Sequence, residues 1–246
     1  MNILFVAAWH VIPPDDGASM TIYNRMMCLR EAGHRVFGCF LLPRQHTGAR
    51  STESEDPSVL RFIEKRGFLN RCHPRIPYFA KRNRLSEREL RELTQLVVRE
   101  QIECVCYEGT PSGEIFYQLK KTLQSKGIGA VFYSHNLDHR DMWNLARDSR
   151  NPLKKVFCFL EFLRLRGYEK RLIRCFRFIW TISRSERETI NRINPRARTA
   201  WIPHLLAFND SSPTREERRI SQSLHDECGD SKTILFTGIL DKSSNI

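Results

Sequence analysis

The side chains best placed to do chemistry stand where apolar runs give way to polar residues. Residues 130–134 are apolar up to Tyr133-Ser134 and run into His135-Asn136-Leu-Asp-His139. An imidazole there could donate a hydrogen bond to a sugar hydroxyl or a phosphate, or act as an acid or base near neutral pH. As a bare residue His135 also reads as a structural turn histidine, the commoner use. The loop Pro13-Pro-Asp-Asp-Gly-Ala-Ser19 is the second candidate. Gly17 has no side chain, so a bulky ligand could approach its backbone. The helix start behind it offers unpaired N–H groups to an anion. The competing reading is a plain turn glycine. This loop is not the G-x-G-x-x-G fingerprint, which argues against a classical dehydrogenase. A third junction is the apolar run 178–182, followed by Ser183-Arg-Ser-Glu186. That is a capping-box pattern, so a strand end again meets a helix start and could contact an anion or a hydroxyl.

Bringing such groups together needs a particular framework. Residues 2–8 are an unbroken apolar run, the pattern of a parallel strand buried on both faces. Ile22, Met26 and Leu29 recur at helical spacing, with Arg25 and Arg30 between them. Gly33-His34 closes that helix, and a second strand covers 36–42. Strand, loop, helix, strand is one crossover unit of a doubly wound sheet, whose ligands bind beyond the carboxyl ends of the strands. The alternation continues. Ser86-Glu-Arg-Glu89 is a capping box opening a helix to about residue 100. Strands follow at 103–107 and 130–134, around a helix over 112–126. Asn151-Pro152 opens a long helix reaching Ile173, and strands follow at 178–182 and 199–202. The pattern predicts an α/β fold: a Rossmann-like parallel sheet with helices on both faces. Residues 59–66 read as a short helix and 43–57 as an exposed loop. Residues 68–84 read as irregular and basic, with Phe68, Tyr78 and Phe79 among Arg71, Arg75, Lys81, Arg82 and Arg84. Residues 208–213 read as a linker, 214–227 as a charged helix and 233–237 as a fresh strand.

A formal net charge of +12 calls for a partner or a reason. Nucleic acid, anionic lipid headgroups, a phosphorylated substrate and a merely solvated basic surface all answer to it. Segment 68–84 could be a membrane-surface or nucleic-acid patch, or a loop whose aromatics tuck onto the domain. The helix after Asn151 is arginine-rich and much of it is apolar, so it could lie on a membrane or pack a core with a solvated face. No apolar run reaches the roughly 20 residues that span a bilayer, and the chain opens without the basic region of a secretory leader. The eight cysteines are scattered, several of them in apolar segments, which suits a reducing cytoplasm. Cys104 and Cys106 share a strand and are read as pointing to opposite faces, which disfavours a shared metal.

Several positions together resemble the N-terminal domain of family 4 glycosyltransferases. They are the opening strand, Pro13-Pro-Asp-Asp-Gly-Ala-Ser19, Gly33-His-Arg-Val36, the His135-Asn136 turn, Tyr168-Glu-Lys-Arg-Leu172 and Trp180-Thr-Ile-Ser183. Trp201-Ile-Pro203 is similar to the family's v-I-P-N-G signal, with His204 in place of the asparagine. Leu235-Phe-Thr-Gly238, with Asp241 and Asn245, resembles the start of the family's second domain. The series runs in order along essentially the whole chain.

The resemblance implies the N-terminal half of a GT-B fold. Residues 1–207 would be the acceptor-binding domain, 208–231 a linker and helix, and 232–246 the first strand of a donor-binding domain. It implies a hexosyltransferase-like enzyme with no obligatory metal and no cofactor. The enzyme would move a sugar from a nucleotide-sugar donor to a glycan or lipid-linked acceptor, as in polysaccharide biosynthesis. Carried over by position, His135 would touch the transferred sugar and Gly17 would approach the donor diphosphate. Asp16-Gly17 stands where the family often has Gly-Gly. Asn136, Glu108 and Ser183 complete the donor- and acceptor-binding set. The family's paired glutamates and phosphate-gripping Arg and Lys would lie beyond Ile246, so the expectation is a truncated chain with little or no activity. The expected location is the cytoplasm, peripheral on the inner face of a membrane. An anionic membrane surface is a further candidate partner, and nucleic acid is disfavoured. The alternative is a non-catalytic basic α/β module that binds anionic membrane or nucleic acid.

Overall fold

A computed structural model describes residues 1–14, 16–42, 58–63, 73 and 75–202. The exposed loop expected at 43–57, Phe68 and Arg71, and the linker, helix and strand expected across 208–246 lie outside the described residues. The chain opens with β1 (Asn2–Ala7), α1 (Gly17–Glu31), β2 (Arg35–Leu42) and β3 (Val59–Ile63). Two helices follow, α2 (Tyr78–Arg82) and α3 (Glu87–Arg99), then β4 (Cys104–Glu108) and a single 3-10 turn over Thr110–Ser112. Next come α4 (Gly113–Ser125), β5 (Gly129–Ser134), α5 (Asp138–Asp148) and α6 (Pro152–Ile173). The series closes with β6 (Phe178–Thr181), α7 (Arg184–Ile193) and β7 (Arg198–Trp201).

The strands form one sheet in the order β3-β2-β1-β4-β5-β6-β7, and every neighbouring pair is parallel. Successive residues of a strand point to opposite faces, so β1 feeds two cores. Leu4 and Val6 join α3, α4 and α6 on one face, while Ile3, Phe5 and Ala7 meet Ile22 and Met26 of α1 on the other. Both faces are covered, as the continuous apolar runs require. Register aligns the strand ends: Ala7 pairs with Glu108, Glu108 with Tyr133, and Ser134 with Thr181. The loops after β1, β4, β5 and β6 therefore leave from one rim.

Four local expectations need correction. The short helix expected over 59–66 is the edge strand β3, paired in parallel with β2 from Gly38–Val59 onward; an adjacent strand edge overrode a weak local preference. The irregular reading of 68–84 misses α2, whose Tyr78 N–H donates to Glu161 (2.7 Å). The turn after His135 leads at once into α5, an element the sequence reading lacked. Cys104 and Cys106, two apart on a strand, share a face rather than oppose each other. Their thiols hydrogen-bond, which lowers the pKa of Cys104 and, with burial, raises that of Cys106. Among the described residues no group of three or more His, Cys, Asp or Glu side chains could hold a metal ion.

Candidate active site

The strand order reverses direction at β1: β2 and β3 lie to one side, β4 to β7 to the other. In an open parallel sheet this switch point leaves a crevice beyond the carboxyl ends, here between the ends of β1 and β4. Trp9 follows β1, and Gly109 follows β4. A side chain on Gly109 would meet the Trp9 and His135 rings at 3.5 and 3.6 Å, and its φ of +64° favours glycine. The Trp9 and His135 rings meet edge to face with centroids 5.6 Å apart.

Beneath His135 lies a buried charge chain. Glu108 Oε2 accepts from Arg25 Nη2 at 2.6 Å and pairs with His135 Nε2 at 2.8 Å. The Glu108 side chain is 0% exposed, Arg25 5% and His135 15%. The Arg25 guanidinium stacks over Tyr133 at 3.7 Å from the ring centroid. Burial pushes the Glu108 carboxyl up, but Arg25 and His135 outweigh it, and the group ends below the usual range. In the neutral ring, a proton on Nε2 turned toward Glu108 leaves Nδ1 as the acceptor position. Three buried polar atoms gathered here take no hydrogen bond among the described residues: Trp9 Nε1, Arg25 Nη1 and Glu108 Oε1. Buried polar groups are normally satisfied, so such atoms call for an explanation.

The turn carrying His135 is held from behind. Ser134 Oγ donates to the Asn136 carbonyl at 3.4 Å, and the Leu137 N–H donates to Glu186. Burial pushes Glu186 up to about 7, with Arg140 and that N–H opposing it. Thr110 donates to Glu169 at 3.1 Å, and Glu169 also bonds His139. Asp138 beside them is pushed well above its ordinary value, first by burial and then by the charge of Glu169.

The remaining sequence candidates share the rim in different roles. Gly17 is the first residue of α1, and a Cβ there would meet nothing within 4 Å. Protein packing does not demand glycine at this position. Asp16 caps α1, accepting from Ser19 N–H at 2.7 Å, with Ser19 Oγ reciprocating toward Asp16 N–H at 2.9 Å. Asn136 is exposed. Ser183 accepts from Glu186 N–H at 3.2 Å as the cap of α7. The box is half formed, because the Glu186 carboxylate serves Leu137 instead. Sequence reasoning missed Arg25, set down as a residue between apolar positions, and Trp9. A signal for Arg25 existed: at three residues from Ile22 and four from Leu29 it falls on the stripe packed against the core, and a buried cation needs a buried anion.

No family model matches the chain, and no curated protein matches it. Solved structures do. Sucrose-phosphate synthase from Thermosynechococcus elongatus aligns at 14% identity over 82% of this chain and 47% of its own, with a TM-score of 0.53. Phytolacca americana UGT2, complexed with UDP-2fluoro-glucose and pterostilbene, aligns at 13% over 85% and 55%, TM-score 0.47. A UDP-glucosyltransferase from Polygonum tinctorium capable of glucosylating indoxyl aligns at 10% over 90% and 56%, TM-score 0.47. The chain spans about half the length of these structures. The first likeness is one of fold: the Rossmann-like sheet of a GT-B glycosyltransferase.

Proposed function

We propose that this chain is the acceptor-side half of a GT-B glycosyltransferase of the family 4 type, using a nucleotide-sugar donor and a glycan or lipid-linked acceptor. On this reading residues 1–207 form the acceptor-binding domain. The observation that carries it is the buried Arg25–Glu108–His135 chain at the switch point of the sheet. A buried ion pair contributes little net stability, since desolvation consumes most of the attraction. What the pair offers is a fixed anion under one imidazole.

Glu108 holds Nε2–H of His135 inward, and Nδ1 then accepts from a hydroxyl of the transferred sugar or of the acceptor. Glu108 and Arg25 act as positioning residues, and His135 is the catalytic residue. The donor diphosphate approaches the start of α1, where the N–H groups of Gly17 and Ala18 and the positive end of the helix dipole support its charge as it leaves. The Asp16 carboxylate takes the Ser19 N–H of that turn and confines the anion to Gly17 and Ala18. Asn136 and Ser183 border the acceptor side of the rim.

A thermal-shift panel of UDP-, GDP- and TDP-sugars, with duplex DNA as comparison, tests the reading. A nucleotide sugar at about 100 times its Kd is expected to stabilise the chain by roughly 2.7 kcal/mol, a rise of a few degrees. A rise with DNA that vanishes steeply with salt, and none with any nucleotide sugar, would contradict it.

A further inference from the structure

Helix α6 carries two apolar stripes on opposite sides. Cys158, Leu165, Tyr168 and Leu172 are buried, and they recur at the three-and-four spacing of one face. Leu153, Val156, Leu160 and Leu163 recur at the same spacing on the other side, and they are 81%, 60%, 46% and 48% exposed. A surface helix ordinarily turns polar residues outward there. Trp143 of α5 and Phe159 extend the apolar area; both are exposed, and their rings approach to 6.3 Å. Between α5 and α6 lies a groove of about 510 Å³, lined by Trp143, Ala146, Val156, Phe159 and Leu160 together with Arg147 and Lys155.

The charges around this area have one sign along α6. Its two acids, Glu161 and Glu169, are buried and hydrogen-bonded. Lys155 and Arg166 are exposed and lie beside the outward stripe. The outward face of α6 is therefore an apolar stripe bordered along one side by cations. Two copies placed face to face would set cation against cation, which disfavours self-association. An anionic lipid surface complements both features. No described helix is long and apolar enough to cross a membrane, whereas an apolar face rimmed with Lys and Arg suits a helix lying in the interface.

We infer that the outward face of the α5–α6 hairpin docks on an anionic lipid bilayer, with Leu153, Val156, Leu160 and Leu163 entering the headgroup boundary and Lys155 and Arg166 meeting lipid phosphates. The inference stands whether or not the transferase reading holds. The carboxyl-terminal half of α6 packs into the core through Tyr168, Leu172 and Ile173. The apolar stripe belongs to the first 12 residues, about 18 Å of helix at 1.5 Å per residue. Glu169 of α6 meets Thr110 and His139 at the rim, so the first 12 residues of α6 extend beyond that rim.

Flotation of the chain with vesicles tests this, using phosphatidylcholine alone and phosphatidylcholine with about one third phosphatidylglycerol. The chain is expected to float with the anionic vesicles at ~0.1 M salt, and at least roughly tenfold less with the neutral ones or at ~0.5 M salt. A blue shift of tryptophan emission on binding is expected to disappear in Trp143→Phe. The paired change Val156→Asp and Leu160→Asp is expected to cut recruitment at least roughly tenfold without changing Tm, since both positions are exposed. Leu153→Asp, at the most exposed position, is expected to act the same way and repeats the test should the pair disturb folding. Absence of recruitment to anionic vesicles, or equal recruitment of the aspartate variants, would overturn the inference. A dimer that the same substitutions turn into monomer, without vesicle binding, would also overturn it.

Discussion

Two carboxylates hold the turn that carries His135, and they titrate in opposite senses. Burial raises Glu108, but Arg25 and His135 overcome it and leave the group low. The unfolded chain then takes up the proton more readily. The contribution of Glu108 is complete above the ordinary value of 4.5 and is lost as pH falls through its lower folded value. Glu186 is the reverse, pushed up to about 7 chiefly by burial. Its folded form takes up the proton more readily, so its contribution is complete below 4.5 and is lost as pH rises through 7. Replacing Glu186 by Gln is expected to leave stability nearly unchanged near pH ~4 and to raise it by about 1 kcal/mol near pH ~8, after allowance for solvent screening. Urea titrations at the two pH values read this directly, and equal stability at the higher one would count against the assignment. At this scale His135 was legible because it follows an apolar run without interruption. Arg25 was not, because a basic residue on a helix usually points to water, and its anion lies 83 residues away in sequence.

Glycines separate the demands of the elements from those of the site. Gly109 has φ +64° and stands against Trp9 and His135. Alanine there is expected to cost about 1–2 kcal/mol, because an L-residue resists the left-handed region. Gly17 opens α1 with free space where a Cβ would be. Alanine there is expected to keep stability or to add about 0.5 kcal/mol, while weakening nucleotide-sugar binding if a diphosphate approaches that backbone. Chemical denaturation of both variants separates the cases, and a destabilised Gly17→Ala would assign Gly17 to the turn instead. The buried central strands were legible because strands covered on both faces read as continuous apolar runs. β3 was misread because five residues at a sheet edge carry too little period to tell helix from strand. α5 was missed because its polar first turn, Asp138-His-Arg-Asp141, looks like a continuing loop, and buried contacts behind it fix the helix instead.

Across the whole molecule, one sheet gathers distant residues at one rim. Gly17, Glu108, His135 and Ser183 belong to four separate strand-to-helix junctions, and parallel pairing brings them to the same side. The reversal of strand order at β1 then selects the crevice between Trp9 and Gly109. The alternation of strands and helices made that architecture legible, whereas the buried charge chain required coordinates. The charge of +12 was ambiguous as a number; Lys155 and Arg166 beside the exposed stripe of α6 carry two of its cations. On the proposed function, the rim around Gly17 and His135 forms one wall of a nucleotide-sugar cleft. Saturation-transfer NMR reads this at the sugar itself, since it detects weak contact between the chain and the sugar protons of a donor. Transfer to those protons is expected in the native chain, with a severalfold loss in His135→Ala and in Gly17→Val. Equal transfer in all three chains would place any sugar elsewhere and rule out a cleft wall at Gly17 and His135.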